Sequence, residues 1–249
     1  MTNGPLTAEQ VLDELEFLAT VEHALIVEYL SVCCALGHDL APGEGGATTE
    51  QGRDAASAAS ALAFGEMVRL RHICFALVDA GRLPELERAT SITSDAETSL
   101  EPPSATQLAR LVAREQALAS ALDKRYGRLK RAVTADPVFE GPLLEELRQI
   151  IVDEGPTHSG ALVGLQDALG EGEQSAALLR ATRREAADSF EQRLFDASNR
   201  SYALVLALLR ERFAPESVSS GLSVPAMESL DQINRLLVQR GLLPPFATA

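Results

Sequence analysis

Apolar residues step by fours and threes through Val11, Leu15, Leu18, Leu25, Tyr29, Val32 and Leu36, the spacing of one buried stripe on a long helix. Glu22 stands in the middle of that stripe. The same interruption returns in three later segments. Glu66 falls within Ala59, Leu62, Leu70, Ile73 and Leu77, and Glu115 within Leu108, Leu111, Leu118 and Leu122. Glu154 and His158 fall within Leu147, Ile151, Leu162 and Leu165. Burying an unpaired carboxylate costs several kcal/mol, so four seam acids need a neutralising partner. A metal centre inside a four-helix bundle supplies one. A metal-free salt-bridge network is the alternative.

Capping and breaking residues divide the chain. Thr7 with Gln10 reads as a capping box opening a first helix that ends near Gly37. A second helix is predicted from about Thr49 to Ala80-Gly81, a third from Ser104 to about Val133, and a fourth from about Pro142 to Leu169. Gly155 and Pro156 predict a kink or bulge in the fourth, because proline lacks the backbone donor. The first and third connections are short and join antiparallel neighbours. The middle one, roughly 23 residues, can follow a helix of ~45 Å from end to end. An up-down-down-up order with one long crossover is the ferritin-like topology. Counted from the helix ends, the four acids stand at similar heights and predict a meeting near mid-bundle.

Beyond Gly170 to Gly172 a fifth helix is expected from about Gln174 to Phe213, with Phe195, Tyr202, Leu206, Leu209 and Phe213 as its packing stripe. A short helix from about Ala226 to Gln239 and the Leu243-Pro244-Pro245-Phe246 tail follow. The expected organisation is an all-α ferritin-like four-helix bundle over 1–170, with C-terminal helices over 171–249 packed on it as a single domain.

Composition narrows the function. In 249 residues, 46% are hydrophobic, enough for a full core. The net charge of −14 argues against nucleic acid and anionic membranes as partners. The polar start MTNGPLTAEQ does not read as a signal peptide, and no apolar run is expected to reach the roughly 20 residues that span a bilayer. Cys33, Cys34 and Cys74 lie in helical patterns and read as reduced core thiols of a cytoplasmic protein. With 4% aromatic residues and no Trp, a stacking platform for sugars or bases is not expected.

A di-iron or di-manganese carboxylate centre takes Glu, then Glu-x-x-His, then Glu, then Glu-x-x-His in chain order. This chain offers Glu22, Glu66, Glu115, and Glu154 with His158; Asp123 is a weaker candidate on the third helix. Two positions depart from the pattern. Arg69 stands where the first His belongs, and the second pair is Glu-x-x-x-His. A guanidinium can satisfy two carboxylates without metal. Arg69 can also displace one metal and leave a mononuclear site, or anchor a substrate carboxylate. Charge counting expects at most one well-occupied metal per chain, with Arg69 taking the second place through a bidentate contact to Glu66 or Glu22. His23 and His72 point roughly 100–120° away from the neighbouring glutamates and read as packing or outer residues. Glu28 reads as exposed or in a helix–helix ion pair, and Tyr29 as core.

Several segments resemble the ferritin-like family that includes the iminophenyl-pyruvate dimer synthases. They are VEHALIVEYL (Val21 to Leu30), GEMVRL with ALVDAGRLPEL (Gly65 to Leu86), VDEGPTH (Val152 to His158), FDASNRSYALVLALL (Phe195 to Leu209), AMESL (Ala226 to Leu230) and the Pro-Pro-Phe tail. The resemblance covers most of the chain. It implies a ferritin-like fold, a non-haem metal site and oxidative chemistry on a small organic metabolite in bacterial secondary metabolism. Glu22, Glu66, Glu154 and His158 carry over by position, while the family's Glu-Glu-Met-Leu-His motif here has Gly65 and Arg69 in place of its first Glu and its His. The implied function is an iron (or manganese) oxidase or oxygenase, with Glu22, Glu66, Arg69, Glu154 and His158 as its working residues. A metal-depleted scaffold or binding protein is the second reading. Iron storage fits less well, since some 75 residues beyond the bundle would encumber a cage. A small-molecule substrate is expected, and a homodimer is an open assembly.

Overall fold

Thr7 and Gln10 form the anticipated capping box: Gln10 N donates to Thr7 Oγ1 at 3.3 Å, and Thr7 N to Gln10 Oε1 at 3.0 Å. They open α1, Ala8–Leu36, which closes at Gly37 in the left-handed conformation, φ 70°. In the computed structural model, the described residues are 6–37, 49–91, 121–122, 124–133, 141–152, 156–169, 178–213 and 222–247, with 151–152 and 156–162 as backbone only. Thr49 caps α2, Glu50–Asp79, by accepting from Gly52 N at 3.0 Å. The third helix, α3, is helical over 124–133. Next come α4, Gly141–Val152, and α5, Pro156–Leu169. Helical residues 141–152 and 156–169 cover the predicted fourth helix, and residues 153–155, with Gly155 of its expected break, lie outside the described residues. The chain ends with α6, Ser189–Arg212, and α7, Ser223–Gln239.

The protein is all-α: among the described residues every regular element is a helix. Three contacts set α1 and α2 antiparallel. Cys33 Sγ donates to Ala56 O, Arg69 meets Glu22, and Arg82 meets Glu9 and Asp13. After α2 the chain leaves the helical state over 82–91 and turns back along α1, where Leu86 is buried and Ala89 N donates to Thr20 O at 3.0 Å. This is the start of the anticipated long connection; its continuation is outside the described residues. Leu18 and Leu25 of α1, Leu62 and Ile73 of α2, Leu129, Ile150 and Leu165 belong to one continuous core.

The fifth helix begins later than the periodicity suggested. Residues 178–188 are not helical, and α6 starts at Ser189. Their backbone donors are taken by tertiary partners: Arg180 N by Ala35 O at 2.6 Å, and Thr182 N by Gly241 O at 3.0 Å. Asp188 then accepts from Phe190 N and Glu191 N, both at 2.8 Å, and so supplies the helix start. Glu191 is held by Arg184 and by Ala187 N, which pull its carboxyl down to about 2. Asp188→Ala is expected to lower stability by about 1 kcal/mol, measured by urea unfolding. A loss below a few tenths would show that the Thr182 and Arg184 contacts alone set the helix start.

These C-terminal helices cover the outer side of α1 and α2. Val27, Cys74 and Leu86 pack with Tyr202, Val205, Leu206, Phe213 and Phe246, while Ser198 Oγ donates to Asn234 Oδ1 at 2.8 Å between α6 and α7. Every residue from Val21 to Tyr29 is buried. Two expectations change here. Glu28 is 1% exposed, which removes the surface position among the two places expected for it. An 18-residue window of α1 has mean hydropathy 1.5, long and apolar enough by length and composition to cross a bilayer, contrary to the reading that no run would be. Since 78% of that window is buried inside the protein, packing on both sides accounts for its apolarity.

Candidate functional site

Glu66 and Arg69, three residues apart on α2, share the face turned to Glu22 of α1. Arg69 Nη1 lies 2.7 Å from Glu66 Oε2 and 3.4 Å from Glu22 Oε2. Tyr126 of α3 donates its hydroxyl to Glu22 Oε1. Glu22 and Glu66 are 0% exposed, Arg69 3% and Tyr126 2%. One guanidinium nitrogen is therefore shared between two carboxylates. The expected two-pronged contact with a single one is not the arrangement found, because the two acids face each other across the α1–α2 seam. The Arg69 guanidinium also lies 5.8 Å from the Tyr126 ring centre.

Burial raises the Glu22 carboxyl well above its usual value; Arg69 opposes that shift, and the Glu66 charge adds to it. Burial thus favours the protonated acid at Glu22.

Of the other sequence-derived site residues, Glu115, Asp123 and Glu154 lie outside the described residues. His158 falls within α5, with its side chain likewise outside. Among the described residues, no three His, Cys, Asp or Glu side chains converge so as to hold a metal ion. At the position where a dinuclear centre takes its first His donor, Arg69 presents a cation to both described carboxylates. Tyr126 escaped the sequence reading, which looked for an acid on the third helix. Its signal was the stripe Leu122, Tyr126, Leu129 and Val133, all buried.

A second locus lies on the opposite side of α1. His23, next in sequence to Glu22, turns toward the C-terminal helices, where Tyr202 Oη and His23 Nε2 are 2.7 Å apart. Burial first, then the charge of Arg88, pushes His23 down to about 4, although the Leu86 and Glu87 carbonyls oppose the shift. Tyr202 is pushed up to about 12 and Cys74 to about 12, both by burial. All three are uncharged at neutral pH. They line a cavity of about 490 Å³ between α1–α2 and α6–α7. His72 instead pairs with Glu146 of α4, Nδ1 to Oε2 at 2.5 Å, and fastens α2 to α4. Cys33 and Cys74 are buried and Cys34 half-buried, and none forms a disulfide.

No family model, curated protein or solved structure matches the chain. The two loci therefore have to be interpreted from their own chemistry, and the family resemblance rests on its motifs.

Proposed function

We propose that this chain is a ferritin-like, cytoplasmic protein of secondary metabolism that holds a small organic molecule, and that Arg69 has closed the Glu22–Glu66 half of its metal centre. The observation carrying this reading is the Arg69 Nη1 bridge, 2.7 Å from Glu66 and 3.4 Å from Glu22. Antiparallel α1 and α2, and a non-helical segment returning along α1, support the up-down-down-up topology with one crossover.

An oxidase or oxygenase with one iron or manganese per chain is the second reading. It is favoured by α5, the helix of His158, packing on α2, the helix of Glu66. In that case Glu154 and His158 would hold the ion, which would supply activation of dioxygen. The chain's own part would be to exclude water from the core and to keep Glu22 and Glu66 neutralised through Arg69.

Native mass spectrometry after anaerobic loading with ferrous iron separates these readings. At most one tightly held iron per chain is expected. None supports the metal-depleted reading. One iron that is lost in Glu154→Ala supports the oxidase. Two retained irons would overturn both, because Arg69 would then have to leave the core.

A further inference from the structure

The cavity on the outer side of α1 has the size, wall chemistry and rim charge of a ligand site distinct from the acidic centre. Its volume, about 490 Å³, falls in the range typical of small-molecule pockets. Val27, Leu30, Leu70, Val205, Leu206 and Leu209 give it an aliphatic wall. Its buried polar lining includes His23 and Tyr202, which are bonded to each other, and Asn234, which accepts from Ser198. Two neutral groups bonded to one another give no counter-charge to a charged ligand there.

The rim differs. Met67, Phe75 and Met227 are 41%, 38% and 43% exposed, an apolar margin that a ligand would cover. Met side chains adapt to varied shapes without fixed packing. Arg71 and Arg212, both exposed, also line the cavity. Among the described residues the acid lining this margin, Asp231, is paired with Arg235 Nε at 2.8 Å. The charge of the described lining thus opposes that of the whole chain, which is −14.

We propose that this cavity binds an aliphatic amphiphile with one anionic head, its chain against Val205 and Leu206 and its head at Arg71 and Arg212. This names the ligand class for the small-molecule part of the function proposed above. The iron count is indifferent to it, so either can fail alone.

Displacement of 11-(dansylamino)undecanoic acid tests the assignment, and the absence of Trp from the chain keeps the fluorescence background low. Dodecanoate is expected to displace the probe, with dodecylamine about tenfold weaker. The preference is informative because the net charge of the protein would by itself favour the amine. Arg71→Ser with Arg212→Ser should erase the preference while leaving dodecanol binding in place. Val205→Trp should abolish displacement by filling the cavity, and Leu209→Trp, at a half-buried wall position, serves if the first variant does not fold. The proposal is overturned if dodecanoate fails to displace the probe or if both tryptophan variants bind as the parent does. An amine binding as tightly as the acid overturns it as well.

Discussion

Arg69→Met is expected to destabilise the protein by about 3 to 5 kcal/mol at pH 8, the largest effect of any single substitution proposed for this chain. Arg69 Nη1 lies 2.7 Å from Glu66 and 3.4 Å from Glu22, all of them buried, so its removal takes the cation away from two facing acids. Methionine preserves most of the volume, which isolates the charge from the packing. For a chain of this length the loss corresponds to roughly 10 °C or more in melting temperature. The variant has its own signature in pH. With Arg69 gone, the folded-state pKa of Glu22 rises further above the unfolded value, so its penalty grows as pH rises from about 4.5 and shrinks on acidification. Adding Glu22→Gln and Glu66→Gln to Arg69→Met should recover most of the loss, since paired amides need no cation. Urea unfolding at pH 5 and pH 8 measures all of this. Arg69→Met within about 1 kcal/mol of the parent at pH 8 would show that something other than the guanidinium neutralises the acids.

Acidification should weaken the protein through His23, in the opposite sense to Glu22. His23 titrates near 6.5 when unfolded and at about 4 in the folded protein, because burial and the Arg88 charge disfavour the imidazolium. A depressed histidine contributes stability that is complete above pH 6.5 and is lost as pH falls toward 4, about 3 kcal/mol in all. Glu22, raised by burial, works the other way and costs stability as pH rises. The parent profile sums the two, so the informative quantity is its difference from His23→Gln, which keeps a partner for Tyr202. Between pH 7 and pH 5 the parent should lose about 2 kcal/mol more than His23→Gln. Parallel profiles would mean that the imidazole takes up its proton in the folded state without resistance, and hence that the contact with Tyr202 at 2.7 Å opens readily.

The two loci explain why some of this was legible in the chain and some was not. Thr7, Gln10, Gly37 and Thr49 act through bonds within three or four residues, and the helix ends they set were readable from sequence. Period alone likewise brought Glu22 and Glu66 to buried faces, because one stripe per helix must meet the core, and the ligand-motif spacing pointed to Arg69 beside them. Period could not register the second covering of α1. His23 lies off the main stripe and would be exposed on a helix buried on one side; Tyr202 of α6 meets it from the other. The late start of α6 was hidden for a related reason. Residues 178–188 carry no strong breaker before Asp188, and what holds them out of a helix is Ala35 and Gly241, distant in the chain.

Sequence by itself determined the helical class, the caps and the burial of an arginine among acids, since these follow from spacing and from the cost of an unpaired charge. Only the tertiary structure decided that Arg69 spans two carboxylates instead of gripping one, that Tyr126 joins them, and that His23 meets Tyr202 at a cavity wall. Each of those contacts joins helices far apart in the chain, and the direction in which a helix presents a side chain does not say which neighbour it will find.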